Sequence, residues 1–217
     1  WVLTNSDKKE FDKNLDIKSK VLYNPLPKNN YVSTTYEEGY VLFVGRLERE
    51  HKGLDYLVEI IKKISEEVPK LRVTIIGGGP SHNWLKAEIE KAGLRDKVNL
   101  LGTTDNIYQF YGMASVMVQT SRFEGFGMTI IEAMSCGIPV VAFHNYGPDE
   151  IIRDSIDGYL VDHFNTETFA KRVVEILKQS EQQKQMGKCA IERSQDFSLE
   201  KLLPLFEQYL GEAMKGL

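Results

Sequence analysis

Length, composition and charge narrow the classes of protein to which this chain can belong. Its 217 residues, 42% of them hydrophobic, are enough for one sizeable buried core. The 27 basic and 31 acidic residues give a net charge of −4, which does not favour a nucleic-acid scaffold. No stretch reaches the roughly 18 consecutive apolar residues of a membrane-spanning helix.

The first part of the chain has a mixed pattern. A short strand is predicted at residues 1–6 and a polar helix at residues 7–15, with Ser6 as its N-cap. A second strand is predicted at residues 21–25, and the polar, irregular stretch 27–39 is predicted to be a linker.

From residue 40 onward, apolar runs alternate with amphipathic segments, which predicts strands alternating with helices. Strands are predicted at residues 40–44, 71–76, 98–101, 115–119, 138–143 and 159–161. Helices are predicted at residues 54–68, 84–92, 107–113, up to 135, and at 148–153, 166–178, 181–194 and 199–214. This alternation predicts an α/β fold with a doubly wound parallel sheet, in which ligands bind beyond the carboxyl ends of the strands.

The stretch FEGFGMTIIEAM, in the second half of the chain, links a predicted buried strand to a helix. Gly125 and Gly127 let the backbone approach a ligand closely, because neither carries a Cβ. The free N–H groups of the first helical turn, near Gly127, Met128 and Thr129, favour an anion such as phosphate. Glu132 lies about one turn further on, where its carboxylate can accept bonds from hydroxyl groups. A phosphate beside a diol is typical of a nucleotide; the alternative is an ordinary strand–turn–helix with no ligand.

Three further segments follow predicted strands and so share one edge of the sheet. Gly45 and Arg46 directly follow strand 40–44 and Lys52 precedes the next helix, so that the Arg fork and the Lys charge together suit a diphosphate. The GGGP run after strand 71–76 is not a dinucleotide fingerprint, since His82 occupies the position of the last glycine. The third segment, LGTTDN, is equally well explained as a helix cap.

The segment from Glu124 to Glu132, EGFGMTIIE, resembles the signature of the retaining, nucleotide-sugar-dependent glycosyltransferases called glycosyltransferases group 1. Other segments resemble that family in the same order along the chain: GRL, KG, GGGP, GIPVV, GP-x-EII and DGYLV. The GGGP run is similar to the family's G-x-G-P loop, in which Gly78 would let the backbone pass beside the nucleotide; a tight turn is an equal alternative. Glu150 of the EII segment is interpreted as a helix N-terminal acid with no catalytic role.

The resemblance implies a two-domain enzyme of the glycosyltransferase-B type, in which two Rossmann-like domains face each other across a cleft. This chain is expected to be mostly the C-terminal, donor-binding half. Its expected parts are a remnant strand and helix of the missing N-terminal domain (1–19), a hinge (20–38), the nucleotide-sugar-binding domain (39–195) and a C-terminal crossing helix (196–217). Part of the apolar face of that helix should then be exposed, namely Leu202, Leu205, Phe206 and Tyr209.

The resemblance also implies the activity. A sugar would pass from a nucleotide diphosphate sugar, expected to be a UDP-sugar, to a glycan or lipid-linked acceptor with retention at the anomeric carbon. By resemblance, the catalytic residues are Arg46, Lys52 and Glu124. The first two, with the N–H groups of residues 127–129, would hold the leaving diphosphate, and Glu132 would bind the ribose hydroxyls.

Glu124 is expected to hold sugar hydroxyls together with the N–H groups near Gly125 and Phe126. Its carboxylate has the chemistry of a nucleophile, but a positioning role is favoured because Gly125 and Gly127, which follow it, suit its turn to binding sugar. The complete predicted donor site comprises Gly45, Gly78, Glu124, Gly125, Phe126, Gly127, Met128, Thr129 and Glu132.

No metal ion and no cofactor are expected beside the donor substrate. No Asp-x-Asp pair lies at a strand end, Asp154 and Asp157 are predicted in a surface turn, and Arg46 and Lys52 can offset the diphosphate charge. Cys136 is predicted to be a buried thiol, as expected in the cytoplasm. The acceptor glycan or lipid-linked saccharide, and any membrane contact, are expected to involve the missing N-terminal domain.

Two other functions stay open at this point. One is a nucleotide-sugar 2-epimerase, an isomerase on a related two-domain fold, whose acid–base residues cannot be identified in this sequence. The other is a non-catalytic module that binds sugar nucleotides. For the transferase, the isolated chain is expected to bind nucleotide weakly and to transfer no sugar.

Overall fold

The computed structural model describes residues 1–16, 18–26 and 33–215, so that part of the predicted linker and hinge and the last two residues lie outside the described ranges. Strands are β1 (Tyr40–Val44), β2 (Arg72–Ile76), β3 (Val98–Gly102), β4 (Val116–Gln119), β5 (Val140–Phe143) and β6 (Gly158–Val161). Helices are α1 (Asn5–Leu15), α2 (Arg49–Lys52), α3 (Leu54–Glu67), α4 (His82–Lys91), α5 (Ile107–Tyr111), α6 (Met128–Ser135), α7 (Tyr146–Ile151), α8 (Thr166–Lys178), α9 (Ser180–Ser194) and α10 (Leu199–Lys215), with a 3₁₀ helix at Gln195–Phe197.

Within the described residues, the strands form one six-stranded parallel sheet in the order β3-β2-β1-β4-β5-β6. The predicted doubly wound parallel sheet is therefore confirmed. The strand order reverses between β1 and β4, where Val41 pairs with Val116 and Leu42 with Met117. A ligand crevice is expected beyond the carboxyl ends of these two strands.

The sheet is covered on both faces, and β1 explains how. Val41 and Phe43 point into one apolar cluster, which α3 and α8 complete with residues such as Leu57 and Val173. The intervening Leu42 points into a second cluster on the opposite face, where α6 packs. Because successive strand residues face opposite sides, a strand buried on both sides must be apolar throughout, as YVLFV is.

The N-terminal segment differs from its predicted form. The prediction of a strand at residues 1–6 is wrong, because Val2 alone among them makes a bridge, an isolated parallel one to Val21. The strand predicted at residues 21–25 is reduced to the same bridge. Helix α1 starts at Asn5, and its N-cap is Thr4 rather than the predicted Ser6. Thr4 is extended, with φ −137°, which lets its hydroxyl oxygen accept the amide of Asp7 at 3.0 Å.

One acidic residue lies deeper than predicted. Asp157 lies in the predicted turn, but its side chain is fully buried. Arg153 donates to its carboxylate from both the backbone amide (2.8 Å) and Nε (2.5 Å). Burial nevertheless raises the pKa of Asp157 above its usual value. Asp154, three residues earlier, is exposed. Cys136 is buried, as predicted.

Helix α10 exposes most, but not all, of the apolar face predicted to be open. Leu205 and Phe206 are exposed and Tyr209 is half-buried, whereas Leu202 is buried. The first turn of α10 packs on the 3₁₀ helix, which accounts for the burial of Leu202. None of the described helices combines the length and apolar character needed to cross a membrane.

Candidate functional site

The site predicted from sequence gathers at the switch point between β1 and β4. The turn between α2 and α3 passes directly over the end of β4, and Gly53 makes this possible. Its φ is +59°, and a Cβ there would lie 2.1 Å from the carbonyl oxygen of Thr120. The Thr120 hydroxyl in turn donates to the carbonyl oxygen of Lys52 at 2.9 Å. Lys52, predicted to precede a helix, is therefore the last residue of the short helix α2 and is fastened beside the loop after β4.

Glu124 receives three hydrogen bonds on one carboxylate oxygen. Lys52 Nζ and Gln119 Nε2 each donate to its Oε2 at 2.6 Å, and the Ser121 hydroxyl donates to it at 3.2 Å. The side chains of Lys52 and Glu124 are only 20% and 13% exposed. Among the described residues nothing donates to Glu124 Oε1, so this oxygen can accept bonds from a ligand. Gln119 Oε1 is also buried without a partner in the described structure.

The backbone of Glu124 is held by the start of helix α7. Its amide donates to Asn145 Oδ1 at 3.1 Å, and its carbonyl oxygen accepts the amide of Gly147 at 3.0 Å. Asn145 also donates from Nδ2 to the carbonyl oxygen of Ser121 at 3.1 Å. The loop that carries Glu124 is thus fixed at both of its backbone groups and at its side chain.

Helix α6 begins as the sequence predicts, directly after the glycine turn. Gly127 takes a left-handed conformation, with φ +102°, that favours glycine. The amides of Met128 and Thr129 donate to no acceptor within the described residues, so they are available to an anion beyond β4. A Cβ on Gly125 would meet open space, whereas Phe126 is buried against Tyr23, with ring centroids 5.8 Å apart.

Glu132, one turn into α6, has a single side-chain partner in the described structure. The buried hydroxyl of Tyr111, at the end of α5, donates to Glu132 Oε2 at 3.0 Å. Burial raises the pKa of Glu132, and this hydrogen bond acts in the opposite direction. Burial also raises the pKa of Tyr111 well above its usual value, so the phenol stays a donor. Glu132 Oε1 is left to accept bonds from a ligand.

Of the remaining predicted residues, Gly45 lies beside Lys52, whereas Arg46 and Gly78 make no hydrogen bond or ion pair with Lys52 or Glu124 among the described residues. Arg46 follows β1 and points outward, 70% exposed, with its Nε 3.7 Å from Glu48. A Cβ on Gly45 would lie 3.7 Å from Cε of Lys52, which places Gly45 beside that side chain. The carbonyl oxygen of Gly78 accepts the amide of Leu47 at 2.9 Å, so the GGGP loop lies against the segment after β1.

Sequence analysis missed four side chains of this site, one of which is Ser121 in the loop after β4. Asn145 follows β5, so the strand-end rule that selected Arg46 could have found it. Gln119 is the one polar residue of β4, and a buried polar residue at a strand's carboxyl end is itself a signal. Tyr111 lies on an apolar helix face, where nothing in the local pattern distinguishes it from a core aromatic.

No group of three or more His, Cys, Asp or Glu side chains that could hold a metal ion occurs in residues 1–16, 18–26 and 33–215. The cationic group that does approach the centre of the site is Lys52. The site therefore combines a cation, a carboxylate with a free oxygen, open helix amides and a second carboxylate beside a tyrosine.

A parallel doubly wound sheet with this arrangement at its switch point is typical of proteins that bind nucleotides. The sequence profile of the family Glycosyl transferases group 1 matches residues 32–193. The chain belongs to this glycosyltransferase family. The match favours a transferase over the 2-epimerase considered from the sequence.

Individual relatives agree with this assignment. An uncharacterized glycosyltransferase of Methanocaldococcus jannaschii is 32% identical over 215 residues, which cover 93% of this chain and 58% of that protein. The poly(glycerol-phosphate) alpha-glucosyltransferase of Bacillus subtilis is 30% identical over 148 residues, which cover 68% of this chain and 22% of that protein. The chain thus spans less than two thirds of the length of these relatives.

Solved structures confirm the predicted glycosyltransferase-B fold class. A complex of S. aureus TarM that contains UDP matches 97% of this chain and 42% of TarM, with a TM-score of 0.90 and 26% identity. Sucrose-phosphate synthase from Thermosynechococcus elongatus matches the whole chain, with a TM-score of 0.86 and 22% identity, which shows the shared fold alone.

Proposed function

We propose that this chain binds the nucleotide diphosphate sugar donor of a retaining glycosyltransferase, with UDP as the nucleotide. The observation that carries the proposal is the contact of Lys52 with Glu124 at the switch point of the sheet, beside the open amides of Met128 and Thr129. A cation and helix amides suit the diphosphate, and a carboxylate suits hydroxyl groups.

In the proposed reaction, the bond between the anomeric carbon and the diphosphate oxygen breaks, and the oxygen of an acceptor hydroxyl forms the new bond on the same face of the sugar. The proton of that hydroxyl passes to the leaving diphosphate. Negative charge grows on the leaving diphosphate. Lys52 and the amides at the start of α6 are placed to stabilise that charge, together with Arg46 if its exposed side chain turns inward. No metal ion is required in this scheme.

Glu124 is proposed to position the sugar and not to attack it. Three donors already engage its Oε2, which lowers the electron density that a nucleophile would use and fixes the side chain. The free Oε1, with the amides of Gly125 and Phe126, would receive sugar hydroxyls. Glu132 would bind the ribose through its own free oxygen. Trapping of a covalent glycosyl adduct on Glu124 would contradict this assignment.

The choice of UDP rests on similar proteins. The TarM complex contains UDP, and so does a complex of the pneumococcal O-GlcNAc transferase GtfA, whose fold matches with a TM-score of 0.82. The acceptor, a glycan or lipid-linked saccharide, is proposed to bind to a domain outside this chain, because TarM and the other relatives are much longer. The chain alone would then bind donor and transfer no sugar.

Calorimetric titration with UDP, GDP and ADP tests the proposal. We expect saturable binding of UDP that Glu132→Ala abolishes and that Glu66→Ala, an exposed carboxylate on α3, leaves intact. A folded chain that binds none of the three nucleotides would contradict the proposed function. Binding that survives Glu132→Ala would remove the ribose contact from the proposal.

A further inference from the structure

Three aromatic side chains form a cluster on the surface beside the candidate site. The ring of Phe123 meets the rings of His51 and Tyr146 edge-on, with centroid distances of 6.3 Å and 6.0 Å. Phe123 is 52% exposed, and His51 is exposed as well. We call these three residues the aromatic cluster. Covering the exposed part of the Phe123 ring would therefore stabilise a complex.

Each member of the aromatic cluster is a chain neighbour of a group that forms the candidate site. His51 precedes Lys52, and Phe123 precedes Glu124. Tyr146 follows Asn145, which holds the Glu124 amide. Neighbouring Cα atoms are about 3.8 Å apart, so the backbone of each residue of the aromatic cluster adjoins that of a residue of the candidate site.

The aromatic cluster is held in place by bonds outside its rings. The carbonyl oxygen of His51 accepts the amide of Arg122 at 2.8 Å, which ties α2 to the loop that carries Phe123. The Tyr146 hydroxyl donates to a carboxylate oxygen of Glu10 on α1 at 3.2 Å. The Phe123 ring is therefore presented by three elements that are fixed relative to one another.

The surroundings of the ring indicate what covers it. Tyr146 of the aromatic cluster donates to the Glu10 carboxylate, and Glu124 directly follows Phe123 in the chain. A carboxylate accepts bonds from hydroxyl groups. One exposed ring with acids nearby is far smaller than a protein interface or a lipid-binding patch. A hexopyranose ring fits both parts, since it carries hydroxyl groups at its rim and C–H groups on its faces.

We propose that the aromatic cluster is a subsite for a hexopyranose ring, whose C–H face packs on Phe123. The inference rests on the proposed function, because it takes Glu124 as the neighbouring sugar contact. The sugar of the donor and the sugar of the acceptor present the same chemistry to Phe123. The experiment below therefore treats them separately.

Three variants test the subsite. Phe123→Ala removes the ring, and Phe123→Tyr keeps it. Phe164→Ala is the matched control, because Phe164 is 51% exposed and lies in a different loop. Its ring stacks on that of Tyr56 in α3, with centroids 5.1 Å apart. Dissociation constants are measured for UDP, UDP-glucose and UDP-N-acetylglucosamine. The ratio of the constant for UDP to that for each UDP-sugar gives the contribution of the donor sugar to binding. Saturation-transfer NMR with methyl α-D-glucopyranoside, titrated in the presence of UDP, measures a free saccharide.

We expect Phe123→Ala to reduce the contribution of the sugar to binding affinity about 2- to 12-fold, which is the range of one aromatic contact. Phe123→Tyr should retain that contribution, and Phe164→Ala should match the unaltered chain. A change in the UDP-sugar ratio assigns the aromatic cluster to the donor sugar, and a change in the glucoside titration assigns it to an acceptor sugar.

The inference is overturned if Phe123→Ala changes neither quantity, if the Ala and Tyr variants lose equally, or if the Phe164 control loses as much. A loss of UDP affinity with an unchanged ratio and an unchanged glucoside titration would also overturn it, since the ring would then stack on the nucleotide. If the unaltered chain binds no nucleotide, the proposed function fails, and the glucoside titration, run without UDP, still decides for or against the subsite.

Discussion

Lys52 lies in direct contact with the acid that it was predicted to accompany in the site. Lys52→Ala removes a cation from the proposed diphosphate site, a charge-assisted contact worth roughly 1.5–3 kcal/mol. Nucleotide affinity should fall about 10- to 100-fold, as measured by calorimetry with UDP. Lys63→Ala is the control, because it breaks an ion pair with Glu167 on the surface. An unchanged dissociation constant in Lys52→Ala would remove Lys52 from the site.

Tyr111 makes the pH dependence of nucleotide binding testable. Its hydrogen bond lowers the pKa of Glu132 against the effect of burial, so Tyr111→Phe should raise that pKa further. A ribose contact needs the ionised carboxylate, which is present above the pKa and lost as the pH falls through it. The loss of UDP affinity on acidification should therefore begin at a higher pH in the variant.

A nucleotide without ribose hydroxyls separates this effect from general damage. With 2′,3′-dideoxy-UDP, the Tyr111→Phe variant and the unaltered chain should bind equally and with the same pH dependence. Tyr159→Phe is the matched variant, because it removes a tyrosine hydroxyl that donates to a carboxylate, Glu175, outside the site. A penalty that persists with the dideoxy nucleotide would mean that Tyr111 acts on packing and not on Glu132.

For individual residues, the sequence predicted the charged residues of the candidate site better than it predicted their hydrogen-bond partners. Glu124 and Glu132 are fixed by a motif with a set spacing, which any reader of the chain can find. Tyr111 touches Glu132 only because α5 and α6 are neighbours in space, and such a contact leaves no local pattern. Gln119, by contrast, lies five residues before Glu124, and its polar side chain at the end of an apolar strand was an available signal. Arg46 has the right position along the chain, but its rotamer is not encoded there.

Among the secondary-structure elements, α7 has a role that the sequence did not predict. Glu150 was interpreted as an acid at a helix start, yet it lies near the end of α7. There it accepts the amide of Asn5 at 3.0 Å, and its other oxygen accepts Asn5 Nδ2 and the Tyr23 hydroxyl, each at 2.5 Å. Within residues 1–16 and 18–26, Asn5 and Tyr23 are thus docked on α7 by the Glu150 carboxylate, and the bond from Tyr146 to Glu10 adds to this contact.

Glu150→Ala should release helix α1. Losing these bonds to a partly exposed carboxylate should cost about 1–3 kcal/mol, so amide exchange in α1 should accelerate roughly 5- to 100-fold. Hydrogen exchange measured residue by residue detects this change, and Glu90→Ala on α4 serves as the control. Unchanged exchange in α1 would mean that apolar contacts, and not Glu150, hold the segment.

The predicted strands and helices from residue 40 onward agree with the observed ones to within about two residues at most ends. This success has a physical basis, since strands buried on both faces must be apolar and the helices between them amphipathic. The segment before residue 26 has no such constraint, because it lies outside the sheet and its pairing is an isolated bridge between Val2 and Val21. The strands predicted there were therefore longer than the observed pairing.

For the whole molecule, the exposed face of α10 sets the expected behaviour in solution. Leu203 and Leu210 are 45% and 43% exposed, and they lie two turns apart on a helix that carries further exposed apolar residues. The chain should self-associate at high concentration, as measured by sedimentation velocity, and the pair Leu203→Glu and Leu210→Glu should reduce that association. Ile156→Glu, at a similarly exposed apolar residue elsewhere, should not. A chain that stays monomeric at every concentration would contradict this prediction.

Helix α7 is attached both to the loop of Glu124 and to the N-terminal segment. Its N-cap Asn145 and its residue Gly147 hold the backbone of Glu124, whereas Tyr146 and Glu150 bond α1, and Glu150 also bonds Tyr23. Six helical residues span only about 9 Å, and a helix of this length is a stiff rod. A rotation of the N-terminal segment that keeps its bonds to α7 must therefore carry α7 with it, and the backbone of Glu124 is attached to the same helix.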